Sequence, residues 1–216
     1  MRATGPGSTM TNGRDQRPKY QAREVPQLSQ PEDHLPMTTS DTEELTLTPA
    51  QIEGPYYKVG SPKRSTLIEP GITGTPLVLT GQVLNERGKP IPDAVLDFWQ
   101  SDDRGNYDMV GNILRGHVLT DQHGRYSLET IVPACYEPRQ ARHVHVKVQG
   151  VSRPYTTQLY FSDDPDRVKD NFYMKELEVQ IDDLPDGRKR GQYTFVIRQV
   201  TEKDNVTPES LASRVA

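Results

Sequence analysis

Short runs of β-branched and aromatic residues, separated by turn-forming residues, begin near Pro76 and continue through most of the remaining chain. Within a run such as 77–84, apolar and polar residues alternate, which is the period of a strand with one buried face. Turn sequences such as 121–124 follow the runs at intervals typical of antiparallel sandwiches and barrels. We therefore predict an all-β domain, an antiparallel β-sandwich with short helical pieces. The predicted strands are 77–84, 94–100, 115–120, 125–130, 143–148, 157–161, 177–180 and 192–200, and the predicted helical pieces are 165–172 and 208–215.

Residues 1–45 have a different composition from the rest of the chain. They are rich in Pro, Thr, Ser, Gln and acidic residues and show almost no aliphatic periodicity. A segment of this kind buries too little apolar area to offset the loss of chain entropy. A chain of 216 residues is long enough for one domain of ordinary size. We predict a disordered or extended N-terminal arm over 1–45 and one β-sandwich domain over 46–216.

Charge and composition exclude several classes of function. The net charge is -4 and the pI is about 5.8, and no basic cluster exceeds the short run 188–190, so nucleic acid is not an expected partner. No apolar stretch is long enough to span a membrane, and the polar N-terminus lacks the apolar core of a secretory signal. The single Cys135 rules out an internal disulfide framework and a multi-cysteine metal site. These features favour a cytoplasmic protein.

The sequence His143-Val144-His145 lies in an alternating β-branched run. Residues two apart on a strand point to the same face, so both imidazoles can meet one metal ion. The alternative is a pair of ordinary surface or core histidines. Because cysteine is nearly absent, further ligands have to come from carboxylates, other histidines or tyrosines. Tyr107 and Tyr136 each lie in a loop next to a predicted strand, although core packing explains a tyrosine in such a loop equally well.

Several longer motifs resemble the intradiol ring-cleavage dioxygenases over about residues 50–165. They occur in the same order as in that family, with the two tyrosines and two histidines at the corresponding places. The motifs are 53–57 (Glu-Gly-Pro-Tyr-Tyr), 99–107, 115–116, 120–121, 124–126, 133–136, 143–145 and 157–161. The resemblance implies a prealbumin- or immunoglobulin-like β-sandwich.

The resemblance also implies a metal centre and a reaction. Tyr107, Tyr136, His143 and His145 are expected to bind non-haem Fe(III), with Tyr136 and His145 as the axial pair. Phenolate oxygen is a hard anionic donor that suits Fe(III). The implied reaction uses O2 to cleave a catechol-type ring between its two hydroxylated carbons, which gives a muconate-type diacid. Tyr136 is expected to act in catalysis by taking up a phenolic proton.

The family has an arginine three residues before its first histidine, where it stabilises the electron-rich ring. This chain has Gln140 at that position, flanked by Arg139 and Arg142. One of the two arginines is expected to take the role after a loop shift of one residue, or Gln140 supplies a weaker hydrogen bond.

Two further positions match the family near the site. Gln158 corresponds to a family glutamine, and we predict a catalytic role for it. Tyr56 or Tyr57 is expected to approach the pocket from the N-terminal segment. Strand and core packing explain these residues as well.

The expected partners are a catechol-type small molecule and O2, and a homo-oligomer is compatible with the sequence. Two other interpretations remain open. One is a non-enzymatic, transthyretin-like β-sandwich that binds a partner. The other is a site for Zn(II) or Fe(II) at His143 and His145, completed by a carboxylate.

Overall fold

The computed structural model describes residues 44–150 and 154–198. Its regular structure is almost entirely strand, as predicted, and each predicted strand is present with small differences at its ends. The strands are β1 (Pro76–Asn85), β2 (Val95–Trp99), β3 (Arg115–Leu119), β4 (Arg125–Ile131), β5 (His143–Gln149), β6 (Tyr155–Phe161), β7 (Glu178–Asp183) and β8 (Lys189–Ile197).

Helical structure in the described part is limited to two 3-10 turns, Arg167–Lys169 and Lys175–Leu177. The first of them lies inside the predicted helical piece 165–172. The predicted piece 208–215 and nearly all of the predicted arm lie outside the described residues. No helix in the part of the chain that the structure describes is long and apolar enough to cross a membrane.

The strands form one nearly closed, barrel-like sheet in the order β3-β2-β5-β6-β7-β8-β1-β4. Adjacent strands in the sheet are antiparallel except for two pairs, β1 with β8 and β6 with β7, which run parallel. The sheet is therefore mixed, and the prediction of a purely antiparallel arrangement is wrong for these two pairs. Parallel neighbours are joined by long connections, and local alternation contains no information about such a distant partner. The sandwich arrangement is not confirmed.

Alternation along the strands separates the core from a second, functional face. In β5 the valines 144, 146 and 148 are fully buried in the main apolar cluster, so the side chains of His143, His145 and Lys147 point the other way. In β2 Phe98 joins the same core, which turns Trp99 toward the face that carries the histidines.

Strand register places four functional side chains in one row across this second face. Trp99 lies opposite Arg115 of β3 and opposite His145 of β5, and His145 lies opposite Gln158 of β6. Residues paired in this way across adjacent strands lie side by side on the sheet. The segment 51–57 covers the row, and Gln158 Nε2 donates to the carbonyl oxygen of Ile52 at 3.0 Å. The row is therefore the floor of a covered site.

Candidate metal centre

The paired histidines have the nitrogen chemistry of metal ligands. The carbonyl oxygen of Ala141 lies 2.8 Å from Nδ1 of His143. A carbonyl oxygen only accepts, so Nδ1 donates and the lone pair of His143 is on Nε2. Both ring nitrogens of His145 are buried and have no hydrogen-bond partner. Buried polar atoms are rarely left unpaired, so these nitrogens indicate a ligand that occupies the site.

Tyr107 lies in the loop between β2 and β3, which is closed by Asp102. The Oδ1 atom of Asp102 accepts from the backbone N–H groups of Arg104 at 2.9 Å and Asn106 at 2.8 Å. This side-chain-to-backbone turn fixes the residue that follows it. Gly105 between them has a φ of 86°, which glycine adopts without strain.

The loop that carries Tyr136 is joined directly to the Tyr107 loop. The backbone N–H of Ala134 donates to the carbonyl oxygen of Asp102 at 2.9 Å, and Ser101 Oγ donates to the carbonyl oxygen of Ala134 at 2.7 Å. A Cβ atom on Gly105 would lie 2.6 Å from the carbonyl oxygen of Cys135, so the two loops pack at backbone contact. The positions of the two tyrosines are therefore coupled.

Four rings meet above the sheet floor, and we call Tyr107, Tyr136, His143 and His145 the tetrad. The ring centroids lie 5.3 Å apart for the two tyrosines and 4.9 Å apart for the two histidines. Tyr136 lies 5.6 Å from His143, and Tyr107 lies 6.3 Å from His145. The hydroxyl oxygen of Tyr107 is buried and forms no well-aligned hydrogen bond, although the hydroxyl of Tyr136 lies close to it. The structure thus brings together all four residues predicted as ligands.

Burial sets the protonation state of the tetrad. It lowers the pKa of His143 to about 4, with a further contribution from Arg139, and it lowers the pKa of His145 well below the usual value. Both imidazoles are therefore neutral near pH 7, as metal ligands have to be. Burial raises the pKa of Tyr107 and of Tyr136. A bound cation reverses this effect, because it stabilises the phenolate form.

The donor set fits a hard, high-valent metal ion. Residues 44–150 and 154–198 contain no cluster of three or more His, Cys, Asp and Glu side chains suited to a metal ion. No carboxylate or thiol in these ranges completes a site with the two histidines, so the additional donors within the tetrad are the two phenol oxygens. Phenolate and imidazole together suit Fe(III). Such an ion would satisfy the unpartnered oxygen of Tyr107 and one of the two unpartnered nitrogens of His145.

The structure brings Arg139 to the tetrad and keeps Arg142 away from it. Arg139 is buried, and its Nη1 lies 3.3 Å from Nε2 of His143. Arg142 instead pairs with acidic residues of the β6–β7 connection, and Gln140 is exposed. Gln158 lies in the site, where its Oε1 accepts from Arg139 Nη2 at 2.8 Å.

Residues 54–57 form an aromatic cover over the tetrad. The ring of Tyr56 stacks on that of Tyr107 with centroids 4.3 Å apart, and it meets Tyr136 edge-on at 5.5 Å. Tyr57 packs on Trp99, which stacks in turn on His145 at 4.9 Å. Both tyrosines of the cover therefore reach the site, Tyr56 directly and Tyr57 through Trp99.

Two residues of the site, Tyr160 and Asp170, were not among those predicted from the sequence. Tyr160 Oη accepts from Arg139 Nη2 at 3.1 Å and donates to Gln158 Oε1 at 3.1 Å. Alternation could have identified Tyr160, because it lies two residues after Gln158 on the same face of β6. Asp170 contacts Arg139 from a loop, and no local pattern indicates it.

Comparisons with known proteins agree with this geometry. A family model described as Dioxygenase matches residues 52–198. Catechol 1,2-dioxygenase 1 of Acinetobacter lwoffii is 32% identical over 196 residues, which cover 76% of this chain and 62% of the relative. Chlorocatechol 1,2-dioxygenase of Rhodococcus opacus is 31% identical over 148 residues, which cover 55% of this chain and 58% of the relative.

Solved structures give the same result. The dioxygenase domain of a dioxygenase carbohydrate-binding protein fusion from Streptomyces sp. SirexAA-E is 39% identical, with a TM-score of 0.68 over 72% of this chain and 100% of that chain. For 3-chlorocatechol 1,2-dioxygenase from Rhodococcus opacus 1CP the identity is 29% and the TM-score 0.67, over 70% of this chain and 72% of that chain. The matches to the two curated relatives span about three fifths of each relative's length. The chain belongs to the intradiol ring-cleavage dioxygenase family.

Proposed function

We propose that this chain is a non-haem Fe(III) dioxygenase that cleaves a catechol-type ring between its two hydroxylated carbons and releases a muconate-type diacid. The observation that carries the proposal is the tetrad, in which the rings of two tyrosines and two neutral histidines meet in one site. The two curated relatives are named for catechol and chlorocatechol, which supports a catechol-type substrate here.

In this proposal the four side chains of the tetrad hold the iron. Fe(III), when bound, supplies a Lewis acid that draws electron density from the two catechol oxygens and prepares the ring for dioxygen. Tyr136 Oη acts as the proton acceptor for one catechol hydroxyl. The guanidinium of Arg139 lies next to the tetrad. The backbone of Arg139 is also joined to that of Tyr136, because the N–H of Tyr136 donates to the carbonyl oxygen of Arg139 at 3.1 Å.

Arg139 and Gln158 provide the polar part of the pocket. The guanidinium stays charged at all working pH values, so it stabilises negative charge that develops on the substrate ring. Gln158 lies between Arg139 and the covering segment, since its Oε1 accepts from the guanidinium and its Nε2 donates to Ile52. Trp99 and the cover of 54–57 exclude water from the tetrad, which strengthens these electrostatic interactions.

The direct test is a visible spectrum of the purified protein with iron quantified, before and after anaerobic addition of catechol. We expect a broad visible band that shifts to longer wavelength with catechol, and ring cleavage once oxygen is admitted. Tyr136→Phe and His145→Ala are expected to lose iron and nearly all turnover. His123→Ala is the control, because His123 is exposed in the turn between β3 and β4. Normal turnover in either of the first two variants contradicts the ligand assignment.

The same experiment separates the two other interpretations. A protein that stays colourless after iron loading and cleaves no catechol supports a binding module of the transthyretin-like kind. A colourless protein that retains zinc or Fe(II) supports a site at the two histidines that a carboxylate completes. That second outcome requires a ligand from outside the ranges 44–150 and 154–198, because no carboxylate there completes the pair.

Other parts of the proposal concern the whole protein. We also propose that the sheet packs as a sandwich, that the protein is a homo-oligomer in the cytoplasm, and that residues 1–45 form a disordered or extended N-terminal arm. The single Cys135 is compatible with a reducing compartment. Size-exclusion chromatography with light scattering measures the oligomer, and a monomer at working concentration contradicts that part.

A further inference from the structure

Arg139 is held by three groups that together fix the direction of its guanidinium. Its Nε donates to both carboxylate oxygens of Asp170, at 2.9 and 3.2 Å. Its Nη2 donates to Gln158 at 2.8 Å and to Tyr160 at 3.1 Å. Its Nη1 is the group directed at the tetrad, 3.3 Å from Nε2 of His143. Because the guanidinium is planar and rigid, fixing Nε and Nη2 also fixes Nη1.

The carboxylate of Asp170 is itself fixed at both oxygens. Oδ1 accepts the backbone N–H of Phe172 at 3.0 Å, and Oδ2 accepts the backbone N–H of Ala141 at 3.2 Å. Its side chain is 1% exposed. Burial alone raises the pKa of Asp170, but the bonds from Arg139 and the two N–H groups outweigh that effect and keep the pKa below its usual value. A buried carboxylate with this many donors is a rigid support.

A second contact from the same loop restricts the orientation of the guanidinium plane. The Cζ atom of Arg139 lies 4.8 Å from the centroid of the Phe172 ring. The phenyl ring restricts rotation of the guanidinium out of its plane. Residues 170–172 therefore hold Arg139 at one edge and on one face.

The contacts of Asp170 distinguish Arg139 from its polar neighbours in the same loop. Gln140 is exposed, and Arg142 pairs with Asp163 and Asp164 instead. Arg139 is therefore the residue of this loop that Asp170 holds toward the tetrad.

We propose that Asp170 is a positioning residue for ring cleavage, and that it acts through Arg139 by directing Nη1 into the tetrad. This inference rests on the proposed dioxygenase function. Asp170 touches neither the tetrad nor the substrate pocket by any contact that the structure describes, so its effect is indirect.

The test compares two isosteric substitutions in the β6–β7 connection. Asp170→Asn replaces a double acceptor with one acceptor and one donor, so the amide nitrogen faces N–H groups and the hold on Arg139 Nε weakens. Asp164→Asn is the matched control. Asp164 is also buried and accepts the backbone N–H of Arg142 at 2.7 Å, with the Arg142 Nε 3.6 Å away, but that arginine does not reach the tetrad.

We expect Asp170→Asn to retain its iron and its visible band while kcat falls by roughly 10- to 100-fold, the usual effect of losing a supporting partner of a metal site. Asp164→Asn is expected to keep kcat within about twofold, as for a residue outside the reaction. A readout independent of turnover is the Nε–H resonance of Arg139 in ¹⁵N NMR of the iron-free protein. It is expected to be protected from exchange in the wild type and in Asp164→Asn, and to lose that protection in Asp170→Asn.

A double-mutant cycle tests whether Asp170 acts through Arg139 alone. In the Arg139→Gln background, Asp170→Asn is expected to cause no further loss of kcat, and this double variant leaves no unpaired buried charge. Equal losses in both backgrounds, or wild-type kcat in Asp170→Asn, overturn the inference and leave the proposed function intact. Absence of the visible band and of ring cleavage in the wild type overturns the proposed function, and the inference with it.

Discussion

Removing the hydroxyl of Tyr107 is expected to stabilise the iron-free protein while it destroys iron binding. The oxygen is buried and forms no well-aligned hydrogen bond, although the hydroxyl of Tyr136 lies close to it. A buried, unsatisfied polar group costs about 1–3 kcal/mol, and Tyr107→Phe removes this cost at little change in volume. We expect the free energy of unfolding to rise by about 1–2 kcal/mol. This is the lower part of the range for an unsatisfied group, because Tyr107 as a whole is only half-buried.

Tyr126→Phe is the matched control. Tyr126 Oη donates to the carbonyl oxygen of Tyr193 at 2.9 Å, so the same chemical change here breaks a hydrogen bond. We expect a loss of about 0.5–1.5 kcal/mol. Urea unfolding of both variants, followed by circular dichroism after removal of metal, measures the two effects.

The sign of the effect of Tyr107→Phe is the decisive result. Iron loading is expected to raise the urea midpoint of the wild type and of Tyr126→Phe, but not that of Tyr107→Phe, because binding to the folded state alone stabilises it. If iron-free Tyr107→Phe unfolds at lower urea than the wild type, the hydroxyl has a partner in the iron-free protein and the reasoning is refuted.

Three further predictions follow from the site. Burial lowers the pKa of His143 in the folded protein to about 4, below the ordinary histidine value of about 6.5, so the unfolded chain takes up the proton first as the pH falls. The free energy of unfolding therefore falls as the pH drops from 6.5 to 4, by up to about 1.4 kcal/mol per pH unit for this residue. Urea midpoints of the iron-free protein that stay constant between pH 7 and 5 contradict this prediction. Gly105→Ala places a Cβ atom 2.6 Å from the carbonyl oxygen of Cys135, so we expect a lower iron content per folded protein, and full iron retention argues against coupled loops. Tyr56→Leu removes the ring stacked on a tetrad tyrosine and is expected to shift the visible band of the iron-loaded protein, whereas Val59→Ala, at a side chain that is 84% exposed, leaves the band unchanged.

Features that depend on local periodicity could be predicted from the sequence. Alternation in 143–148 correctly separated the valines of the core from the two histidines on the other face. The same period accounts for the positions of Phe98 and Trp99, which face opposite sides of β2. The strand positions follow from this period, because each strand buries one face against a common core.

Features that depend on distant parts of the chain could not be predicted from periodicity. The parallel pairing of β1 with β8 joins segments more than a hundred residues apart, and nothing in either run specifies its partner. The choice between Arg139 and Arg142 depends on carboxylates in the β6–β7 connection, since Asp170 binds the first and Asp163 and Asp164 bind the second. Loop residues of this kind carry no repeating signal.

The place of β1 between β4 and β8 has a consequence for synthesis of the protein on the ribosome. All four residues of the tetrad, and the four strands of the sheet floor, precede residue 162 and leave the exit tunnel early. Strand β8, which forms one neighbour of β1, is synthesised after all of these. A nascent chain that stops before residue 189 therefore leaves one edge of β1 unpaired, and an exposed edge of this kind can recruit another chain. The time that the ribosome needs to complete β8 thus determines how long the edge of β1 can pair with another chain.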